Sequence, residues 1–389
     1  MTRPLMIGMV AGEASGDNLA GSVIREIKNL HAEVEFFGIG GPLMLEEGFH
    51  TWFDMERLSV NGFVDPIKRL PDLLNTLLTL KRRMVMDPPD VFVGVDSNFF
   101  NLLLAGMLKK AGIPTVQYVS PTVWAWRQGR VKKIARSIDL MLTLYPFETE
   151  IYRQRNIEVR FVGHPKADEI PLVSAPGTVR AELGFSPDDK VIAILPGSRG
   201  SEVKYSGESF LKAANICQDK FPQLKFVVPC ASPPRKQQIL KLISEVSPHL
   251  QITVLDGQAQ SAISSADVVL VNSGTATLEA MLLKRPMVMS YRLGSLTYAI
   301  ISRMTTTPYF ALPNILAGKE LVPELMQDRA TPEALADALL HILEHPEQAE
   351  LMREFEEIHR QLQRNAGARA AEAILGLIDQ KMDVPLIDV

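Results

Sequence analysis

Short apolar runs, many of them β-branched, recur along this chain, and most are followed by a turn of small residues and then by apolar positions at helical spacing. Residues 5–10, 35–39, 90–95, 115–119, 140–144 and 159–162 read as six strands of this kind, and residues 190–195, 225–228, 251–255, 268–271 and 287–290 as five more. Runs that are apolar throughout, rather than alternating, belong in parallel sheets covered on both faces. The strand–helix alternation predicts an α/β protein built of doubly wound parallel sheets. Residues 171–189, rich in Pro, Ser, Gly and Asp, interrupt the rhythm and read as a linker. The expected organisation is a first lobe over 1–170, a second over 190–345, and a tail over 346–389. Two amphipathic patterns in that tail, Leu351/Phe355/Ile358/Leu362 and Ala371/Ile374/Leu375/Ile378, are expected to pack back on the first lobe.

The clearest single unit spans residues 267–291. The strand at 268–271 breaks at Asn272-Ser-Gly274, a helix runs from Thr275 to Leu283, and Pro286 stops it before the next strand. Ser273, Gly274 and Thr275 then sit at a helix N-terminus, where free N–H groups and the dipole favour an anion. Glu279 follows Thr275 at i+4, on the same face, and suits the hydroxyl pair of a ribose. A packed βαβ unit with a solvated Glu279 explains the same stretch, so context must decide.

Other strand ends carry candidate chemistry, since ligands of open α/β sheets bind at the carboxyl ends of strands. In Ala11-Gly-Glu-Ala-Ser-Gly-Asp17, Ser15 or Asp17 either caps the following helix or lines a ligand crevice. Asp96, in Asp96-Ser-Asn-Phe-Phe-Asn101, reads equally as a general base or as part of a helix cap. In Pro196-Gly-Ser-Arg-Gly-Ser-Glu202, Gly197 and Gly200 free the backbone beside Ser198, and Arg199 offers a fork of donors for a diphosphate. Asn314 reads either as a turn residue or as a contact to a base or phosphate. Gly40-Gly41-Pro42 lacks the dinucleotide spacing, and no Walker A sequence is present. His341-Ile-Leu-Glu-His345 matches a zinc pattern but ends a helix with little chain beyond it, so no metal is expected.

Two stretches suggest a surface role. The segment 64–86 holds Leu70, Leu73, Leu74, Leu77 and Leu78 between Lys68-Arg69 and Lys81-Arg82-Arg83, which fits either a core helix or an interfacial one. Trp124 and Trp126 precede Arg127, Arg130, Lys132, Lys133 and Arg136, either a core Trp pair beside a solvated face or a patch for phosphate or anionic lipid. Composition narrows the rest. A length of 389 residues favours two domains, and 46% hydrophobic with 22% charged residues is ordinary globular content. A net charge of -4 argues against nucleic acid as a partner. Cys217 and Cys230 are the only cysteines, which suits a reducing compartment and no thiolate site. No secretory signal or membrane-length apolar run is read, so the expected location is cytoplasmic, at most on a membrane surface.

Five motifs in order, Val10-Ala-Gly-Glu-Ala-Ser-Gly-Asp17, Tyr118-Val-Ser-Pro-Thr-Val-Trp-Ala-Trp-Arg127, Leu195-Pro-Gly-Ser-Arg-Gly-Ser-Glu202, Ser273-Gly-Thr-Ala-Thr-Leu-Glu279 and Leu312-Pro-Asn-Ile-Leu-Ala-Gly318, resemble those of the lipid-A-disaccharide synthase family. The resemblance runs from near residue 5 to past residue 365. It implies a GT-B glycosyltransferase, two Rossmann-like lobes facing across a cleft, working without metal or cofactor. Such enzymes join UDP-2,3-diacylglucosamine to 2,3-diacylglucosamine 1-phosphate (lipid X), giving a β-1,6-linked disaccharide 1-phosphate and UDP with inversion. On that reading Asp96 is the base, and Arg199 with the turn from Ser273 to Thr275 takes the leaving diphosphate. Gly197 and Ser198 line the same donor site, Glu279 meets the ribose, and Glu13, Ser15 and Asn314 are also substrate-binding. Leu73, Leu77, Trp124, Trp126, Arg127 and Arg130 become an acyl- or membrane-facing surface on the cytoplasmic side of the inner membrane. A homodimer is left open. The rival readings are another GT-B UDP-sugar enzyme, such as a UDP-N-acetylglucosamine-type transferase or 2-epimerase, and a two-lobed solute-binding protein.

Overall fold

The computed structural model describes residues 3–58, 66–122, 131–173, 176–294 and 307–382. The chain divides into two compact units, one of Met1–Asp168 with Leu362–Val389 and one of Glu169–Gln361.

In the first unit β1 (Leu5–Ala11), β2 (Val34–Gly40), β3 (His50–Asp54), β4 (Val91–Val95), β5 (Thr115–Tyr118), β6 (Leu140–Thr143) and β7 (Glu158–Phe161) form one sheet in the order β3-β2-β1-β4-β5-β6-β7. Every neighbouring pair is parallel. β4 is buried along its whole length, and helices cover both faces of the sheet. On one face Leu19, Val23, Ile24 and Ile27 of the helix Ala14–Leu30 pack with Ile7 and Met9, and with Ala370, Ala371 and Ile374 of the last helix, Ala366–Met382. On the other, Leu77, Leu80 and Met84 of the helix Pro66–Met86 meet Leu104, Ala105 and Leu108 of the helix Asn98–Lys109.

The second unit repeats the plan. β8 (Val191–Leu195), β9 (Lys225–Cys230), β10 (Ile252–Asp256), β11 (Val268–Asn272), β12 (Met287–Tyr291) and β13 (Glu324–Met326) form an all-parallel sheet in the order β10-β9-β8-β11-β12-β13. Phe210, Ala213 and Cys217 of the helix Gly200–Lys220, with Leu335 and Leu339 of the helix Pro332–Glu344, close over Ile192, Ile194 and Leu270. Strand order reverses direction between β1 and β4, and again between β8 and β11. The crevice at such a switch point is where doubly wound sheets bind ligands.

Three features depart from the sequence reading. β3 and β13 are extra, half-exposed edge strands without an apolar run to announce them. The stretch read as a linker contains a helix, Pro176–Glu182. The chain also returns to the first unit at Leu362 and not at 346, so the helix Ala349–Leu362 stays almost wholly with the second unit. Asp168 fixes that return, because its carboxylate accepts from the backbone N–H groups of Arg364, Asn365 and Ala366 at 2.8, 2.9 and 2.7 Å. Ala366 N–H is one of the orphan donors at the start of the last helix, and the other two lead into it.

Candidate active site

At the first switch point the loop after β1 meets the loop after β4. The Ser15 hydroxyl donates to Asp96 Oδ2 at 2.9 Å, and Glu13 stands exposed at the N-cap of the helix Ala14–Leu30. The two loops touch so closely that a Cβ on Gly12 would lie 2.0 Å from Ser97 Oγ. Asp96 and Ser97 both adopt left-handed backbone, with φ of 52° and 40°. Ser97 is the N-cap residue of the next helix but makes no side-chain cap bond, and the Asp96 carboxylate is instead held from the neighbouring loop. Asp17 does not cap its own helix either. It is buried, and its carboxylate accepts from Gly41, Leu43 and Met44 N–H at 2.9, 3.0 and 3.1 Å, anchoring the helix Pro42–Glu46.

Further along the same sheet edge, burial pushes the Glu148 carboxyl up to about 8, although the Tyr145 and Leu144 N–H groups and the Ser120 hydroxyl oppose the shift. Burial, helped by the Lys166 charge, holds His164 down at about 4. In both side chains burial disfavours the charged form.

At the second switch point Gly197 has φ of 127°, and a Cβ there would meet Glu202 Cβ at 2.4 Å. Glu202 Oε2 accepts the backbone N–H of Ser198 and Arg199 at 2.9 and 3.1 Å, so this turn satisfies its own donors. What it presents to solvent is the Arg199 guanidinium, 79% exposed and 3.2 Å from Glu202 Oε1. Asn272 joins the two strand ends by donating to the Pro196 carbonyl at 3.0 Å and accepting from Ser273 N–H at 3.2 Å. Gly274 has φ of 150° with open space where a Cβ would be. Gly274 and Thr275 are exposed at the start of the helix Thr275–Leu282, Ser273 is half-buried with its hydroxyl on the Phe310 carbonyl, and Glu279 is half-buried one turn on. This helix N-terminus can receive an anion.

Asn314 does not offer a polar edge to a ligand. It is fully buried, its amide donates to Val322 O and Glu324 Oε1 at 2.9 and 2.8 Å, and its oxygen accepts from Leu321 and Val322 N–H at 2.8 and 2.9 Å. That is the whole capacity of an amide. Glu324 in turn accepts from Phe310 and Ala311 N–H, and Leu312 N–H reaches Thr277 Oγ1 at 3.3 Å. Asn314 thus positions the segment that borders the Thr275 helix.

The expected acyl-facing residues separate. Leu77 is buried in the core and Leu73 packs against it, while the exposed stripe is Leu70, Leu74 and Leu78, at 51%, 48% and 58%. Arg83 lies over the Trp52 ring and Arg57 over Phe53, each at 5.2 Å, and both belong to the same unit. Trp124, Trp126, Arg127 and Arg130 lie outside the described residues. Among the described residues no group of three metal-ligating side chains comes together, and no helix is long and apolar enough to cross a membrane.

Sequence reasoning missed the roles of Asn101, Gln117, Glu202 and Glu324. A Gln117 inside the fully buried β5 was the one visible signal.

The family model for lipid-A-disaccharide synthetase matches residues 7–374. The lipid-A-disaccharide synthase of Azotobacter vinelandii is 49% identical over 382 residues, covering 98% of this chain and 100% of that protein. That of Pseudomonas syringae pv. tomato is 51% identical over 379 residues, covering 97% and 98%. Among solved structures, a UDP-GlcNAc 2-epimerase from Neisseria meningitidis bound to UDP-GlcNAc aligns with a TM-score of 0.66 at 14% identity, covering 96% of this chain and 100% of that one. A glycosyltransferase from Rickettsia africae aligns with a TM-score of 0.57 at 11% identity, covering 99% and 100%. At such identities these two speak for the fold alone. The near-complete family match and the half-identical relatives speak for more: the chain belongs to the lipid-A-disaccharide synthase family and is a glycosyltransferase of lipid A disaccharide synthesis.

Proposed function

We propose that this enzyme transfers 2,3-diacylglucosamine from its UDP conjugate to the 6-hydroxyl of lipid X with inversion, and that Asp96 is the base. The acceptor oxygen attacks the anomeric carbon as the bond to the diphosphate breaks. The bonding pair leaves with UDP, and the acceptor proton passes to the Asp96 carboxylate. The observation that carries this reading is the Ser15–Asp96 contact at the switch point of the first sheet, which aims a half-exposed carboxylate from one loop by a hydroxyl on another.

In the second unit the leaving diphosphate takes the Arg199 guanidinium and the helix N-terminus at Ser273, Gly274 and Thr275, with Gly197 and Ser198 shaping the turn. Preorganised donors of this kind stabilise developing negative charge without a cation. Glu279 receives the ribose hydroxyls, and Glu13 borders the acceptor side. Peripheral attachment to the inner membrane would use the exposed Leu70/Leu74/Leu78 stripe.

The test is incubation with UDP-2,3-diacylglucosamine and lipid X in detergent containing EDTA. A β-linked disaccharide 1-phosphate is expected, read by the proton coupling at the new anomeric carbon. An α-linked product, or activity abolished by EDTA and restored by a divalent ion, would refute the metal-free inverting route.

A further inference from the structure

Asp96 is held from below as well as from the side. Beneath it lie two fully buried amides, Asn101 and Gln117. Asn101 Nδ2 stands 2.9 Å from the Asp96 carbonyl, and 3.1 and 3.2 Å from those of Val10 and Val95. Gln117 Nε2 stands 3.1 Å from the same Asp96 carbonyl, and 3.3 and 3.4 Å from those of Tyr118 and Val119. The pair therefore ties together the ends of β1, β4 and β5. Gly94 makes room for it, since a Cβ there would fall 2.7 Å from Asn101 Cβ and 2.8 Å from Gln117 Oε1.

The backbone these amides grip is strained. Asp96, Ser97 and Val119 have φ of 52°, 40° and 77°, and left-handed backbone is an outlier for a β-branched residue such as Val119. Such backbone persists only where its surroundings over-determine it. A strand that merely ended here would need neither the strain nor two side chains committed to one carbonyl.

We propose that Asn101 and Gln117 are positioning residues for the transfer. By holding the Asp96 backbone left-handed, they set the direction in which its carboxylate meets the acceptor hydroxyl. The inference rests on Asp96 being the base. A displacement of about 1 Å at a reacting group costs about 10²-fold in rate.

The experiment compares Gln117→Met and Asn101→Leu, which remove the donors at similar volume, with Val93→Ala, a core truncation in β4 that touches neither amide. Disaccharide formation is measured with full-length enzyme, together with KM for lipid X and thermal unfolding. The two amide variants are expected to lose kcat by about 10²-fold with KM within about threefold of wild type. Val93→Ala, brought to the same unfolding temperature or lower, keeps kcat within about threefold. Gln117→Glu adds a readout that survives misfolding of the others. A buried carboxyl ringed by carbonyl oxygens stays protonated near neutral pH and donates one bond. Its kcat should lie between those of wild type and Gln117→Met at pH about 6.5 and fall further as the pH rises and the group ionises. Amide variants matching Val93→Ala in kcat, or a Gln117→Glu pH profile parallel to wild type, would overturn the inference. Asp96→Asn is run alongside. Its near-normal activity would sink the base and this inference together, whereas a dead Asp96→Asn beside normal amide variants would sink this inference alone.

Discussion

Replacing Arg199 with Ala separates catalysis from stability. In the folded enzyme the guanidinium is 79% exposed and meets Glu202 at 3.2 Å, an ion pair between neighbouring turns of one helix start. Exposed pairs of this kind contribute about 0–1 kcal/mol, so its loss should barely move the unfolding temperature. Glu202 is left satisfied, because Ser198 and Arg199 N–H still donate to it at 2.9 and 3.1 Å, and those bonds are main-chain. The catalytic cost is of another order. If the guanidinium meets the diphosphate as negative charge develops, removing that one preorganised donor should lower kcat by about 10²–10³, or about 3–4 kcal/mol of barrier. Arg199→Lys keeps the charge without the fork and should fall between. The assay is initial rate against UDP-2,3-diacylglucosamine concentration, with thermal unfolding on the same preparations. An Arg199→Ala enzyme with kcat within about threefold of wild type, or one that loses activity only as it loses stability, would refute the assignment.

Three other outcomes are expected. Asp168→Ala removes the acceptor of three N–H groups and should lower the urea unfolding free energy by about 1–2 kcal/mol; an unshifted midpoint would mean the return of the chain is fixed elsewhere. Glu148 binds its proton up to about 8 in the folded state against 4.5 ordinarily, so folded protein holds more protons than unfolded protein in that window and its stability falls as pH rises through it. Glu148→Gln should therefore gain on wild type in urea titrations between those two values, and a difference independent of pH would contradict the burial argument. Changing Leu70, Leu74 and Leu78 together to Ser should release the enzyme from vesicles containing anionic lipid without unfolding it, whereas Leu77→Ala should cost about 2–5 kcal/mol of stability; retained vesicle binding would place the membrane contact elsewhere.

The sheets were legible because their central strands are buried on both faces and carry unbroken apolar runs, as β4 and β8 do and as β11 does from Val268 to Val271. β3 and β13 were not, because an edge strand half open to solvent carries no such run. On the helix Pro66–Met86 leucines fall on more than one face, so spacing alone could not say that Leu77 points inward and Leu74 outward. The candidate site divides the same way. Asp96, Arg199 and Thr275 sit at strand ends or just beyond them, where topology alone makes a ligand crevice. The bonds of Asn314 were not legible because its partner Glu324 lies ten residues on, in a strand the pattern did not reveal. Asp17 and Gln117 likewise act on backbone 24–27 and up to 21 residues away, and a one-dimensional reading has no term for that.

The central claim is that Asp96 takes the acceptor proton, and the most direct test is Asp96→Asn, which keeps the shape and removes the base. Disaccharide 1-phosphate formation should fall by about 10²–10⁴ with UDP affinity unchanged within about twofold. A folded Asp96→Asn enzyme that binds UDP and still turns over within about threefold of wild type would contradict the account.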